Sequence, residues 1–144
     1  MYAAGKEHPY RDPCARLMTD IAAGRLDVVL DTESIQEVLY RYGRLQAWDI
    51  GAKMAASLLD IVPTVLPVTA AEARLSLALF TEFAPRGVSP RDLVHVAVMR
   101  NHGLTDIIST DRHFDLVTGI RRIDPTVAGR GKRASRSPET RSRR

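Results

Sequence analysis

The chain holds one cysteine, Cys14, in 144 residues. No internal disulfide can form, which suits a reducing cytosol. No apolar run reaches the length of a membrane span. The N-terminus, Met1 to His8, lacks the apolar core of a secretory signal. There is no glycine-rich phosphate loop and no serine nucleophile elbow. His95 and His102 stand seven apart; with one cysteine and no tight histidine pair, they make a poor zinc set. No internal repeat is visible. What remains is a globular composition, 44% hydrophobic and 26% charged, sized for one domain.

The net charge of +4 is unevenly placed. Residues 129–144 carry seven basic side chains against Glu139, a balance of +6, so residues 1–128 carry −2. A basic tail favours nucleic acid through phosphate contacts; the competing reading is a solvated terminus that aids solubility. Gly, Arg, Ser and Pro dominate from Thr126 onward, which predicts disorder over 126–144 and a folded domain over 1–125.

Within that domain short apolar runs alternate with longer helical patterns. Helices are expected over Cys14–Ala23, from a Thr32 or Ser34 cap to Tyr42, over Leu45–Ile61, over Ala70–Phe83 after a Thr69 cap, and from Pro90 to His102 after a Ser89 cap. Strands are expected at Asp27–Leu30, Val65–Val68, Asp106–Ser109 and Ile120–Ile123. The pattern predicts an α/β fold with a parallel sheet covered on both faces. Such a sheet is built around a buried central strand that usually comes early. Met1 to Pro13 is polar and broken by Gly5, Pro9 and Pro13, so the sequence reads as if it starts one element late.

Several carboxylates sit where such sheets put their ligands, at helix starts beyond strand ends. Taken singly, each has a local explanation. Ser34-Ile35-Gln36-Glu37 has the form of a capping box, and Ser89-Pro90-Arg91-Asp92 repeats it with Asp for Glu. Asp111 suits the cap of a turn, Asp115 a surface acid, and Asp31 and Glu33 a turn and a first helical turn. Gathered on one rim, however, carboxylates repel one another unless a cation lies between them. A hard divalent ion such as Mg²⁺ takes oxygen ligands and can act on a phosphodiester. His95, three residues after Asp92, reads as a packed or supporting histidine. The stripe of Trp48, Ala52, Ala55 and Leu59 reads as core or as a partner-facing surface.

Taken together, Gln36-Glu37-Val38-Leu39, the Arg91-Asp92 helix start, Ile108-Ser109-Thr110-Asp111-Arg112-His113-Phe114-Asp115 and Gly119-Ile120-Arg121-Arg122-Ile123-Asp124-Pro125 resemble the PIN-domain ribonucleases. More narrowly they resemble the VapC toxins of bacterial toxin–antitoxin pairs. The resemblance spans Met1 to Pro125 and implies a three-layer α/β/α fold. It also implies Mg²⁺- or Mn²⁺-dependent endoribonuclease activity in the cytoplasm. Its motifs place Glu37, Asp92 and Asp111 as metal-holding catalytic acids, Asp115 as an accessory catalytic acid, and Thr110 as an accessory residue. Its partners would be RNA, a VapB-like antitoxin gripped in part by Trp48 and Met54, and a second copy in a homodimer.

One feature of the family is missing: an N-terminal strand ending in the first acid. Tyr2-Ala3-Ala4-Gly5 resembles the residues just after that strand. Asp31 does not replace that acid, because it lies six residues before Glu37 and the family puts a helix and a strand between the two. The chain is therefore expected to be an N-terminally truncated form of a longer natural protein. The alternative is an inactive remnant that binds antitoxin or RNA without cleavage.

Overall fold

A computed structural model describes residues 7–129. Tyr2 to Gly5 and most of the basic tail lie outside these residues, as do the readings placed on them. Helix α1 is Arg11–Ala22, strand β1 Val29–Asp31, helix α2 Thr32–Arg44, helix α3 Trp48–Ile61, strand β2 Thr64–Leu66 and helix α4 Ala70–Phe83. Helix α5, Pro90–Asn101, follows a single 3₁₀ turn at Ala84–Arg86. Strand β3 is Asp106–Ile108, a second 3₁₀ turn spans Arg112–Leu116, and strand β4 is Arg121–Ile123.

Each expected helix and strand is present, with shifted ends. Helix α4 follows Thr69, whose hydroxyl and Glu72 form a full capping box. Helix α5 follows Ser89, with Pro90 in its first turn where a missing N–H costs nothing. Helix α2 departs from expectation. Its cap is Asp31, not Thr32 or Ser34, and Asp31 Oδ1 accepts from Ser34 N at 2.8 Å. Ser34 thus lies within the first turn, and Glu37 is freed from the capping role its spacing suggested. Helix α3 begins three residues late because Gln46, at φ 54°, turns the chain between α2 and α3.

The strands pair in parallel, but as two separate two-stranded sheets. β1 joins β2 with Asp31 opposite Leu66, and β3 joins β4 with Ile108 opposite Ile123. The single sheet expected from the sequence is thus in two pieces, since no described strand joins β1 to β3. Helix α5 lies within the larger core: Leu93, Val96 and Ala97 pack with Leu79, Phe83, Val88, Phe114 and Val117. A second cluster joins α2 to α3 through Val38, Tyr42 and Ala55, with Ile35, Met54 and Leu58 against it. The Trp48–Leu59 stripe is therefore divided. Ala55 is buried, whereas Trp48 is 68% exposed and Leu59 and Ala52 also face solvent.

Candidate active site

The cleft that gathers the expected acids is built from helix starts. Parallel strands deliver the chain to one rim, and the helix or turn that follows each strand begins there. β1 runs straight into α2, which carries Glu37 on its second turn. α5 opens beside it with Arg91 and Asp92. The turn after β3 brings Asp111 and His113. Glu37, Gly87, Ser89, Pro90, Arg91, Asp92, Asp111 and His113 line one open cleft of about 630 Å³.

Each acid is held locally. Ser89 Oγ accepts from Asp92 N at 3.2 Å and donates to Asp92 Oδ2 at 2.7 Å. Asp111 Oδ1 accepts from His113 N at 2.8 Å and lies 2.7 Å from His113 Nδ1. Asp111 N in turn donates to Ser109 Oγ. Among the described residues, Asp92 Oδ1 and Asp111 Oδ2 carry no hydrogen bond from protein. Glu37 lies between two cations, with Arg91 Nε 3.7 Å from Oε1 and His95 Nε2 3.6 Å from Oε2. Arg91 is also 3.2 Å from Glu33 Oε1, and its guanidinium lies 4.9 Å over the Tyr40 ring.

His95 and Asp31 are buried beneath this rim, at 9% and 7% exposure, with Nδ1 to Oδ2 at 2.6 Å. Burial opposes the imidazolium, but the hydrogen bond to Asp31 and the nearby Glu37 carboxylate outweigh it and lift the His95 pKa to about 10. For Asp31, burial likewise favours the neutral acid. The His95 contact and the two Ser34 hydrogen bonds overcome it and keep the carboxyl below its usual value.

Asp115 is not among the cleft-lining residues. It pairs with Arg122 at 3.0 Å. Arg122 also donates to Ser109 O at 3.0 Å and lies 3.5 Å from Asp124, so it braces the turn that presents Asp111. Thr110 is half-buried on that turn and is not part of the lining. Of the residues expected at the site, Glu37, Asp92 and Asp111 line the cleft; Arg91 lines it too and was not singled out from the sequence as a cleft residue. In the sequence Asp31 reads as a turn acid and is rejected as the family's first acid. No spacing rule joins Asp31 to His95 across 64 positions; the available local signal was the Asp31…Ser34 cap.

The donor set is hard oxygen, suited to Mg²⁺ or Mn²⁺ rather than to zinc. Among the described residues no three His, Cys, Asp or Glu side chains converge on one ion position. An ion bound by one or two of these carboxylates, with water completing its shell, fits the usual Mg²⁺ pattern. No described helix is long and apolar enough to cross a membrane.

Residues 1–120 match the PIN domain family. Ribonuclease VapC7 of Mycobacterium tuberculosis is 32% identical over 130 residues, covering 90% of this chain and 88% of that protein. Ribonuclease VapC13 of the same species and VapC ribonuclease Mb1869c of Mycobacterium bovis are each 29% identical over 123 residues, 85% of this chain and 92% of theirs. Helix starts that bring acids to one rim, a match across the domain and relatives of nearly equal length agree: the chain belongs to the PIN domain family, among the VapC ribonucleases.

Proposed function

We propose that this protein is the toxin of a toxin–antitoxin pair and hydrolyses RNA phosphodiester bonds in a divalent-ion-dependent reaction. The observation that carries the reading is the meeting of Glu37, Asp92 and Asp111, from three separate elements, in one cleft at the ends of parallel strands. One or two of Asp92, Asp111 and Glu37, with water completing the shell, would hold Mg²⁺ or Mn²⁺. When bound, the ion supplies charge neutralisation of the phosphodiester and Lewis acidity.

The chain's own residues prepare that site. Ser89 holds one oxygen of Asp92, and His113 with its own backbone N–H holds one oxygen of Asp111, so each acid keeps an oxygen for the cleft. Arg91 supplies positive charge on a rim that would otherwise repel a polyanion. Asp115 acts through Arg122, and Thr110 lies on the turn they brace; both are accessory. The partners are RNA, a VapB-like antitoxin and a second copy of the chain. Exposed Trp48 on α3 is an apolar contact available to the antitoxin.

Asp92→Asn tests the assignment. The Ser89 cap to the backbone N–H survives, so the circular-dichroism spectrum should match wild type while Mg²⁺- or Mn²⁺-dependent RNA cleavage is lost. Cleavage by the folded variant at the wild-type rate would remove Asp92 from the site. The second reading, an inactive PIN fold that binds without cutting, is favoured by the lack of three converging donors among the described residues. Wild-type protein that binds RNA but leaves it intact in Mn²⁺ would select it.

A further inference from the structure

Asp31 has no place in the chemistry above, yet it is the most buried carboxylate near the cleft. Its work as a helix cap is done by one oxygen. Oδ1 takes both Ser34 N and Ser34 Oγ at 2.8 Å. Serine or asparagine would cap as well. The second oxygen is left over for His95 Nδ1, 2.6 Å away. A buried ring with an unpaired nitrogen is costly, so this contact sets the orientation of the imidazole. Among the described residues, the acidic group near the ring's other nitrogen is Glu37, with Oε2 at 3.6 Å.

The two sides of Glu37 differ. On the outer side stands Arg91, a half-exposed guanidinium shared with Glu33 and stacked on Tyr40. On the inner side stands a buried ring fastened to the end of β1. Of the two, only His95 is fixed by a buried partner of its own.

We propose that Asp31 and His95 are a positioning pair for Glu37: Asp31 Oδ2 orients the imidazole, and its Nε2 fixes how the Glu37 carboxylate faces the cleft. The inference rests on the nuclease reading of Glu37 and adds to it a carboxylate–imidazole–carboxylate line from β1 to the site. Neither residue touches substrate in this scheme. Supporting partners of this kind typically change activity or metal affinity about 10–100-fold.

Asp31→Ser keeps a capping hydroxyl and removes the contact with His95. Its kcat for RNA should fall about 10–100-fold, with KM within about twofold of wild type. Glu37→Gln combined with Asp31→Ser should be no slower than Glu37→Gln alone, because residues acting through one group are non-additive. Asp31→Ser with wild-type kcat, or losses that multiply in the double variant, would overturn the proposal. If Asp31→Ser does not fold, Asp31→Ser with His95→Phe removes both polar partners together, a change close to neutral for stability. The same kinetic split is expected of it.

A spectrum that needs no cleavage separates this inference from the nuclease reading. In ¹⁵N-labelled protein without added metal, the His95 ring nitrogen shifts should move in Glu37→Gln, at Nε2 more than at Nδ1. Unchanged shifts would overturn the positioning role whether or not the wild type cuts RNA.

Discussion

Glu72 is 4% exposed and fully engaged: Oε2 accepts from Thr69 N at 2.8 Å and from the Thr69 hydroxyl, and Oε1 accepts from Asn101 Nδ2 at 2.7 Å. The first turn of α4 is thereby tied to the last turn of α5, the helix that carries Asp92 and His95. The Asn101 and Thr69 hydrogen bonds are made to the charged form, and they lower the Glu72 pKa from 4.5 to about 2. A folded pKa below the unfolded one contributes stability that is fully present above about pH 4.5. That stability is lost as pH falls toward 2. Urea midpoints of the wild type should therefore drop between pH 4.5 and 2, and Glu72→Gln should flatten the drop. It should not abolish it, because Asp124, held by Thr126 and Tyr10, also titrates near 2. An equal slope in Glu72→Gln would show that the tie contributes nothing to acid stability.

The packing of α2 on α3 rests on a missing side chain. A Cβ built on Gly51 would lie 2.7 Å from Tyr42 Cβ, an atom next to the backbone with little room to retreat. Gly43, on the last turns of α2, has nothing within 4 Å of such an atom. Alanine favours a helix over glycine by up to ~1 kcal/mol, whereas overpacking costs about 1–3 kcal/mol. Gly43→Ala should raise the urea midpoint and Gly51→Ala should lower it; equal shifts would refute the close crossing. Neither effect is visible in the sequence, where the helix is expected to end at Tyr42 and nothing brings Gly51 against it. Local signals did better where a cap and a periodic face agree, as at Thr69 for α4 and Ser89-Pro90 for α5. They failed at Glu37, where two capping patterns compete. Ser34-x-x-Glu37 is the better motif, but extended backbone at Asp31 puts a carboxylate one turn earlier. Asp92 and Asp111 were expected because each stands at a helix or turn start, and Glu37, on the second turn of α2, because of its motif; all three line the cleft. Their supporting contacts, Asp31 to His95 and Arg91 to Glu33, were not legible, because they join elements about sixty positions apart.

At the scale of the molecule, charge sets a conflict. Residues 1–128 carry a net −2 and open an acidic cleft, yet RNA is a polyanion. A divalent ion in the cleft relieves the repulsion among the acids as well as that toward RNA. Binding to the folded state alone must therefore stabilise it. With the ion at about 100 times its dissociation constant the gain is about 2.7 kcal/mol. Mn²⁺ should raise the wild-type melting temperature in a concentration-dependent way. Asp111→Asn should lose most of that rise, since Asp111 carries an oxygen that the protein leaves unengaged. Asp115→Asn should keep it, because Asp115 is spent on Arg122 outside the cleft, although its melting temperature without metal should fall slightly as the turn loosens. If Asp115→Asn abolished the Mn²⁺ response and Asp111→Asn preserved it, the ion would lie toward Arg122 and β4, and the cleft between α2 and α5 would lose its place as the site.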